Sequence, residues 1–247
     1  MDVKKGQSLK EQSLKLLLDY KAGGIDTDAS LLSVWSIPMR KFLLALPLLV
    51  AVPLLAQSAP QVPGTMDVAR VTAGTYNTDP GHTLIGWRVS HFGFNDYFGI
   101  FGDATGTLTL DPKTPNASKV DITIPVSKIT TASSGLTGHL LRAGKDGGKP
   151  DFFGPAPADA KFVSTSVVAK GTTAKINGTL TLNGVTKPVV LDAKFSGAGA
   201  NPFNKKATVG FHATTTIKRS DFGVMYGIPI VSDNVKLDIS VAFEKVG

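Results

Sequence analysis

The sequence contains no cysteine. Disulfides, thiolate nucleophiles and cysteine-based metal sites are therefore excluded, although the absence fits a reducing or an oxidising compartment equally. Charge is also sparse, with Asp, Glu, Lys and Arg making up 18% of the chain. The 26 basic and 19 acidic residues leave a formal charge of +7. The basic residues are dispersed, with no run of five Lys or Arg and no interleaved aromatics, so the footprint of a nucleic-acid surface is missing. A mildly basic exterior still suits an anionic lipid surface or a phosphorylated ligand. Four histidines occur, His82, His91, His139 and His212, in no H-x-H or H-E-x-x-H pattern. No G-x-S-x-G, P-loop or paired-carboxylate arrangement stands in the chain. No metal, cofactor or catalytic residue is assigned on these grounds.

Long apolar runs are equally scarce, and the exception is informative. Arg40 and Lys41 precede FLLALPLLVAVPLLA, the 15 residues from Phe42 to Ala56, and Gln57, Ser58 and Ala59 follow. A positive start, a short apolar stretch and small residues describe a signal peptide. The run is shorter than the ~20 residues of a spanning helix, though an uncleaved anchor is the alternative. Residues 39–58 are thus expected to direct export to the periplasm. Since a signal peptide begins at its initiator Met, residues 1–38 are expected to be an extension outside the true start. Cleavage after Ala56 would leave 19 basic and 14 acidic residues, about +5.

What is abundant is Gly, Pro, Thr and Val, a mixture that favours strands and turns. Residues 59–74 read as a flexible, Pro-rich lead-in. Period-2 alternation then marks half-buried strands. Ile85, Trp87, Val89 and His91 share one face, as do Leu108 and Leu110. Val120, Ile122, Ile124 and Val126 form a third set. Ile176, Leu180 and Leu182 alternate with polar residues up to Asn183-Gly184, a dipeptide suited to a type I′ turn. Val189, Leu191 and Phe195, then Val209 and Phe211, then Val235, Leu237, Ile239, Val241 and Phe243 continue the theme. About eight such strands predict an all-β fold. Closure into an antiparallel barrel removes exposed edges and leaves room for a ligand. A two-sheet sandwich with a solid core fits the alternation equally.

Ser127 to Phe153 breaks the pattern. Gly135 to Arg142 suits a short helix, and an insertion of this length suits a cap. His91 lies on an apolar face and must find a partner or line a wet cavity. Phe92, Phe94, Tyr97, Phe98 and Phe101 crowd one hairpin. Phe152 and Phe153 close the insertion, and Phe222, Met225 and Tyr226 stand near the last hairpin. They fit a core or the mouth of an apolar pocket.

Five segments in order resemble the YceI-like family, the lipocalin-like polyisoprenoid-binding proteins. They are DPGHTLIGWRVSHFGFNDYFGIFGDATGTLTLD from Asp79, IPVSKITT from Ile124, HLLRAGKDGGKPDFF from His139, LTLNGVTKP from Leu180 and IKRSDFGV from Ile217. The resemblance spans about residues 75–246, with a longer spacer between His139 and Asp151 and a changed segment after Phe153. It implies one β-barrel domain over 75–247 with an elongated apolar tunnel and a helix or loop cap. It implies a carrier, not an enzyme, for a polyprenyl phosphate, a quinone or another long apolar molecule. The tunnel would be lined by Ile85, Trp87, Val89, Phe98, Phe101, Leu108, Ile122, Ile124, Phe152, Phe153, Phe162, Leu180, Leu191, Phe222, Ile239 and Val241. A phosphate or quinone oxygen needs donors near the opening, and His91, His139, Arg142 and Arg219 are the candidates. Catalysis on a lipid or quinone and a stress-response interaction role are the alternatives. Peripheral membrane contact and homodimerisation are open.

Overall fold

The structure is a computed structural model and describes residues 61–247; the expected extension and signal peptide, with residues 59–60 at the start of the lead-in, lie outside the described residues. Among the described residues, eleven strands run in chain order. They are β1 (Gly74–Thr78), β2 (Leu84–His91), β3 (Asn95–Phe101), β4 (Thr105–Leu110), β5 (Lys119–Ile124) and β6 (Ile129–Thr131). After a helix, α1 (Ser134–Leu141), come β7 (Ala160–Lys170), β8 (Thr173–Leu182), β9 (Val185–Ala200), β10 (Ala207–Lys218) and β11 (Asn234–Lys245).

Eight strands close an antiparallel barrel in the order β1-β4-β5-β7-β8-β9-β10-β11, sealed by β1 against β11. The seal is short, Tyr76 opposite Lys245 and Thr78 opposite Phe243. Further along, the same edge of β11 pairs with β2, from Lys236 opposite Arg88 to Ser240 opposite Leu84. One long strand therefore passes its edge from β1 to β2. The switch is made at Asp79, whose carboxylate accepts from the Gly81 N–H and whose carbonyl accepts from the Thr83 hydroxyl. β2, β3 and β6 then extend the wall beyond the barrel as a flap.

The alternating faces expected from sequence lie within these strands. Those not read in advance are β1, β3, β6 and β7, which are short, rich in glycine or apolar on both faces. The type I′ turn is present, with Asn183 at φ 52° and Gly184 at φ 76°. The helix starts one residue earlier than expected, because the Ser133 hydroxyl accepts from the Leu136 N–H as an N-cap.

Apolar packing is distributed around the wall. One cluster joins Tyr76, Leu108, Phe195, Ala198, Val209 and Phe243 across the β1–β11 seal. Another joins Phe162, Leu180, Val189 and Phe222. The lead-in is held at its middle: Thr65 and Ala198 exchange backbone hydrogen bonds at 3.1 and 2.8 Å.

Candidate ligand-binding tunnel

The inward faces do not meet, so the barrel is hollow. A cavity of about 310 Å³ is walled by Leu108, Ile122, Phe162, Leu191, Ile239 and Val241, with Val68 and Val71 of the lead-in at its edge. A second, of about 730 Å³, is walled by Trp87, Val89, Phe101, Phe152 and Phe153. Ile85, Ile124, Leu180 and Leu237 border both, so the two cavities abut there. Both volumes lie in the range of small-molecule sites, ~300–1,000 Å³. The smaller cavity reaches the turns after β4 and β7; the larger reaches the flap and the cap.

Two glycines let aromatic rings lie flat in this wall. A Cβ at Gly99 would stand 2.6 Å from the Trp87 ring and 2.5 Å from the Thr130 carbonyl. One at Gly178 would stand 2.5 Å from the Phe162 ring. Trp87 Nε1 is buried with no hydrogen-bond partner, so the indole serves the wall as a surface.

Three expected site residues are placed elsewhere. Phe98 points outward and is 62% exposed, with the Arg88 guanidinium 5.4 Å from its ring centre. On β3 the inward parity belongs to Tyr97, Gly99 and Phe101, which pair with the inward faces of β2 and β6. Phe222 is fully buried in the cluster with Val189 and borders neither cavity. Arg142 also lies off both walls and acts through the cap.

The cap is built around His139. Its Nε2 lies 2.7 Å from Asp151 Oδ2, and Arg142 Nη2 reaches the same oxygen at 2.9 Å. Arg142 Nη2 is also 2.9 Å from His139 Nε2. Arginine can only donate, so the carboxylate is satisfied when Nε2–H and Nη2–H both donate to it. The Arg142 hydrogen bond, then that of His139, holds the Asp151 carboxyl below its ordinary range. Phe152 and Tyr226 meet the His139 ring edge-on, each at 5.2 Å. The Phe153 N–H donates to the Leu140 carbonyl at 3.1 Å, tying the segment back to α1.

Arg219 borders the larger cavity but is buried and engaged. It donates to the carbonyls of Ser232, Val224, Tyr226 and Val231 at 2.8–3.1 Å. Burial lowers its pKa, and the Asp233 charge opposes the shift. Its main work is to shape the loop from 223 to 233. His91 borders the same cavity, stacked on Phe92 at 3.9 Å. Among the described residues, no cluster of three His, Cys, Asp or Glu is placed to hold a metal ion.

Wall residues not anticipated include Leu136 and Leu140 of α1 and Val224, Ile230 and Val231 of the last loop. The available signal was charge, since GVMYGIPIVS, residues 223–232, carries no charged side chain. The loop has no alternation, so a search by period passes over it.

A closed eight-stranded antiparallel barrel with an apolar, divided interior and a helical cap defines the class to which this protein belongs. Within that class the chain is a member of the YceI-like domain family, whose sequence model matches residues 76–243. It is 39% identical over 161 residues to Protein YceI of Salmonella arizonae and of Salmonella paratyphi B, covering 65% of this chain and 80% of each relative. A Campylobacter jejuni YCEI protein superposes with a TM-score of 0.53 at 29% identity, covering 64% of this chain and 90% of that one. Burkholderia cenocepacia BcnA shares the fold, with a TM-score of 0.54 at 23% identity, covering 71% and 98%.

Proposed function

We propose that the protein is a carrier that encloses a long isoprenoid chain, of the polyprenyl phosphate or quinone type, after export to the periplasm. The observation that carries this reading is the pair of abutting apolar cavities that share Ile85, Ile124, Leu180 and Leu237 in their walls. Each buried CH₂ contributes ~0.8 kcal/mol, so a chain spanning both cavities gains ample gross energy. Ordering a flexible chain reduces the net. The tail lies past these shared residues into the smaller cavity. The polar end stays in the larger one, near His91, His139 and the edge of Arg219, while Arg142 holds the cap.

The test is mass spectrometry of organic extracts from purified mature protein, followed by uptake of farnesol and a quinone by stripped protein. Co-purifying isoprenoid or saturable uptake is expected. Protein that carries none and takes up none rejects the reading.

A second reading, chemistry on the bound lipid, draws on the His139–Asp151 pair at 2.7 Å. A carboxylate-oriented imidazole is the arrangement of a general base. Unchanged lipid after incubation with wild-type and His139→Ala protein rejects it.

A further inference from the structure

We infer that the rim of the larger cavity is a membrane-docking lip, which sinks apolar side chains into a lipid surface as the tunnel loads. The inference rests on the carrier reading above. Two turns build the rim, one from His91 to Asn95 and one from Gly223 to Ser232. They are joined by a hydrogen bond from the Phe92 N–H to the Ile230 carbonyl at 2.9 Å and by a bridge between His91 and Val231.

The apolar lining runs without a break onto the outer surface. Phe92, Tyr226 and Ile230 border the cavity, yet are 52%, 49% and 64% exposed. Just outside them Phe94 is 89% and Met225 58% exposed, and neither borders the cavity. Neither turn contains Asp, Glu, Lys or Arg. A contiguous exposed apolar patch of this kind marks an interaction site.

The backbone adds an independent sign. Phe92 and Gly93 have φ of 57° and 72°, the left-handed pair of a type I′ turn. Asn, Asp or Gly fits that first position, and an aromatic residue is disfavoured there. What phenylalanine adds to the turn is apolar surface facing outward.

The occupant with matching chemistry is the acyl and headgroup boundary of a bilayer. A long apolar chain crossing the rim into water would expose its length. Crossing into lipid gives it an apolar path throughout. Two protruding turns suit shallow insertion. The nearby Arg88 is paired with Asp96 at 3.5 Å, so attraction to anionic lipid is not the expected source of binding.

Flotation of the mature protein with phosphatidylcholine vesicles, and with vesicles also containing phosphatidylglycerol, tests this. Wild-type protein is expected to float with both, and salt is expected not to release it. The double variant Phe94→Ser with Met225→Ser is expected to partition at least about tenfold less, equivalent to about 1.4 kcal/mol. Its uptake of farnesol from solution, followed by Trp87 emission, is expected to match wild type. Failure of wild-type protein to float, equal flotation of the double variant, or binding only to the anionic vesicles overturns the inference. So does a wild-type dimer that the double variant converts to monomers with flotation unchanged, which assigns the rim to a second copy. Vesicle binding without any isoprenoid uptake leaves the lip standing and rejects the cargo.

Discussion

The Asn183 side chain donates from Nδ2 to the carbonyl of Phe222 at 3.1 Å, linking the β8–β9 turn to the short helical turn that follows β10. Two segments 39 residues apart thus meet at one hydrogen bond. Gly223, at φ 75°, directs the carbonyl toward it. The carbonyl belongs to the fully buried Phe222, so the bond anchors a side chain that closes the wall beside Val189.

Asn183→Ala is expected to destabilise the domain by ~1–3 kcal/mol, combining the lost bond with the unfavourable left-handed conformation of alanine. Asn183→Gly removes the bond while keeping the turn, and is expected to be the milder change. Urea unfolding of the two variants checks the order; equal stability of glycine and alanine variants would contradict it.

Arg219 holds the last loop through four carbonyls. Lysine keeps the charge but not the planar fork, so Arg219→Lys leaves some of these carbonyls without a donor and is expected to lose ~1–3 kcal/mol. Amide exchange should rise selectively across 223–232. Unaltered exchange there would mean the loop is shaped by something else.

Leu237 borders both cavities. Leu237→Phe is expected to leave stability little changed, because the added ring projects into open cavity, and to narrow the passage proposed between the two cavities. Long isoprenoid chains should lose affinity while geraniol, short enough for the larger cavity, is retained. Equal loss for both lengths would argue against a shared passage.

The Asp151 carboxyl is held below its ordinary range by Arg142 and His139. A group with a depressed folded pKa contributes stability above its unfolded pKa, about 3.9, and loses it as pH falls through the folded value. Cap opening is therefore expected below about pH 4. Asp151→Asn should remove the acid-side step while leaving a cap weakened at every pH. Proteolysis of the 142–153 segment across pH reads both effects. A variant with the same acid profile as wild type would show that other carboxylates control it.

Much of the wall could be read from the chain. The faces of β2, β8 and β11 alternate cleanly, so period 2 assigns Trp87, Leu180 and Ile239 to one side together with their neighbours. The β3 segment could not be read this way. Tyr97, Gly99 and Phe101 oppose Phe98 and Ile100, and both sets contain aromatic or aliphatic side chains. Its parity is decided by Gly99, where the absent Cβ admits the Trp87 ring from the adjacent strand. Arg219 was legible as a motif residue, but its four carbonyl partners lie up to 13 positions away in an irregular loop. The Asp151 contact to His139 likewise depends on how the insertion folds back on α1.

By itself the chain determined which residues share a strand face and where the tight Asn183-Gly184 turn falls. Absence of cysteine removed thiol chemistry outright. These properties follow from local stereochemistry and composition, which neighbouring residues carry with them. Closure of β1 on β11, the division of the interior at Ile85 and Leu237, the outward turn of Phe98 and the exposure of Phe94 were decided only in the tertiary structure. Each depends on which distant strand or loop supplies the opposing atoms, and alternation along a single strand contains no information about that partner.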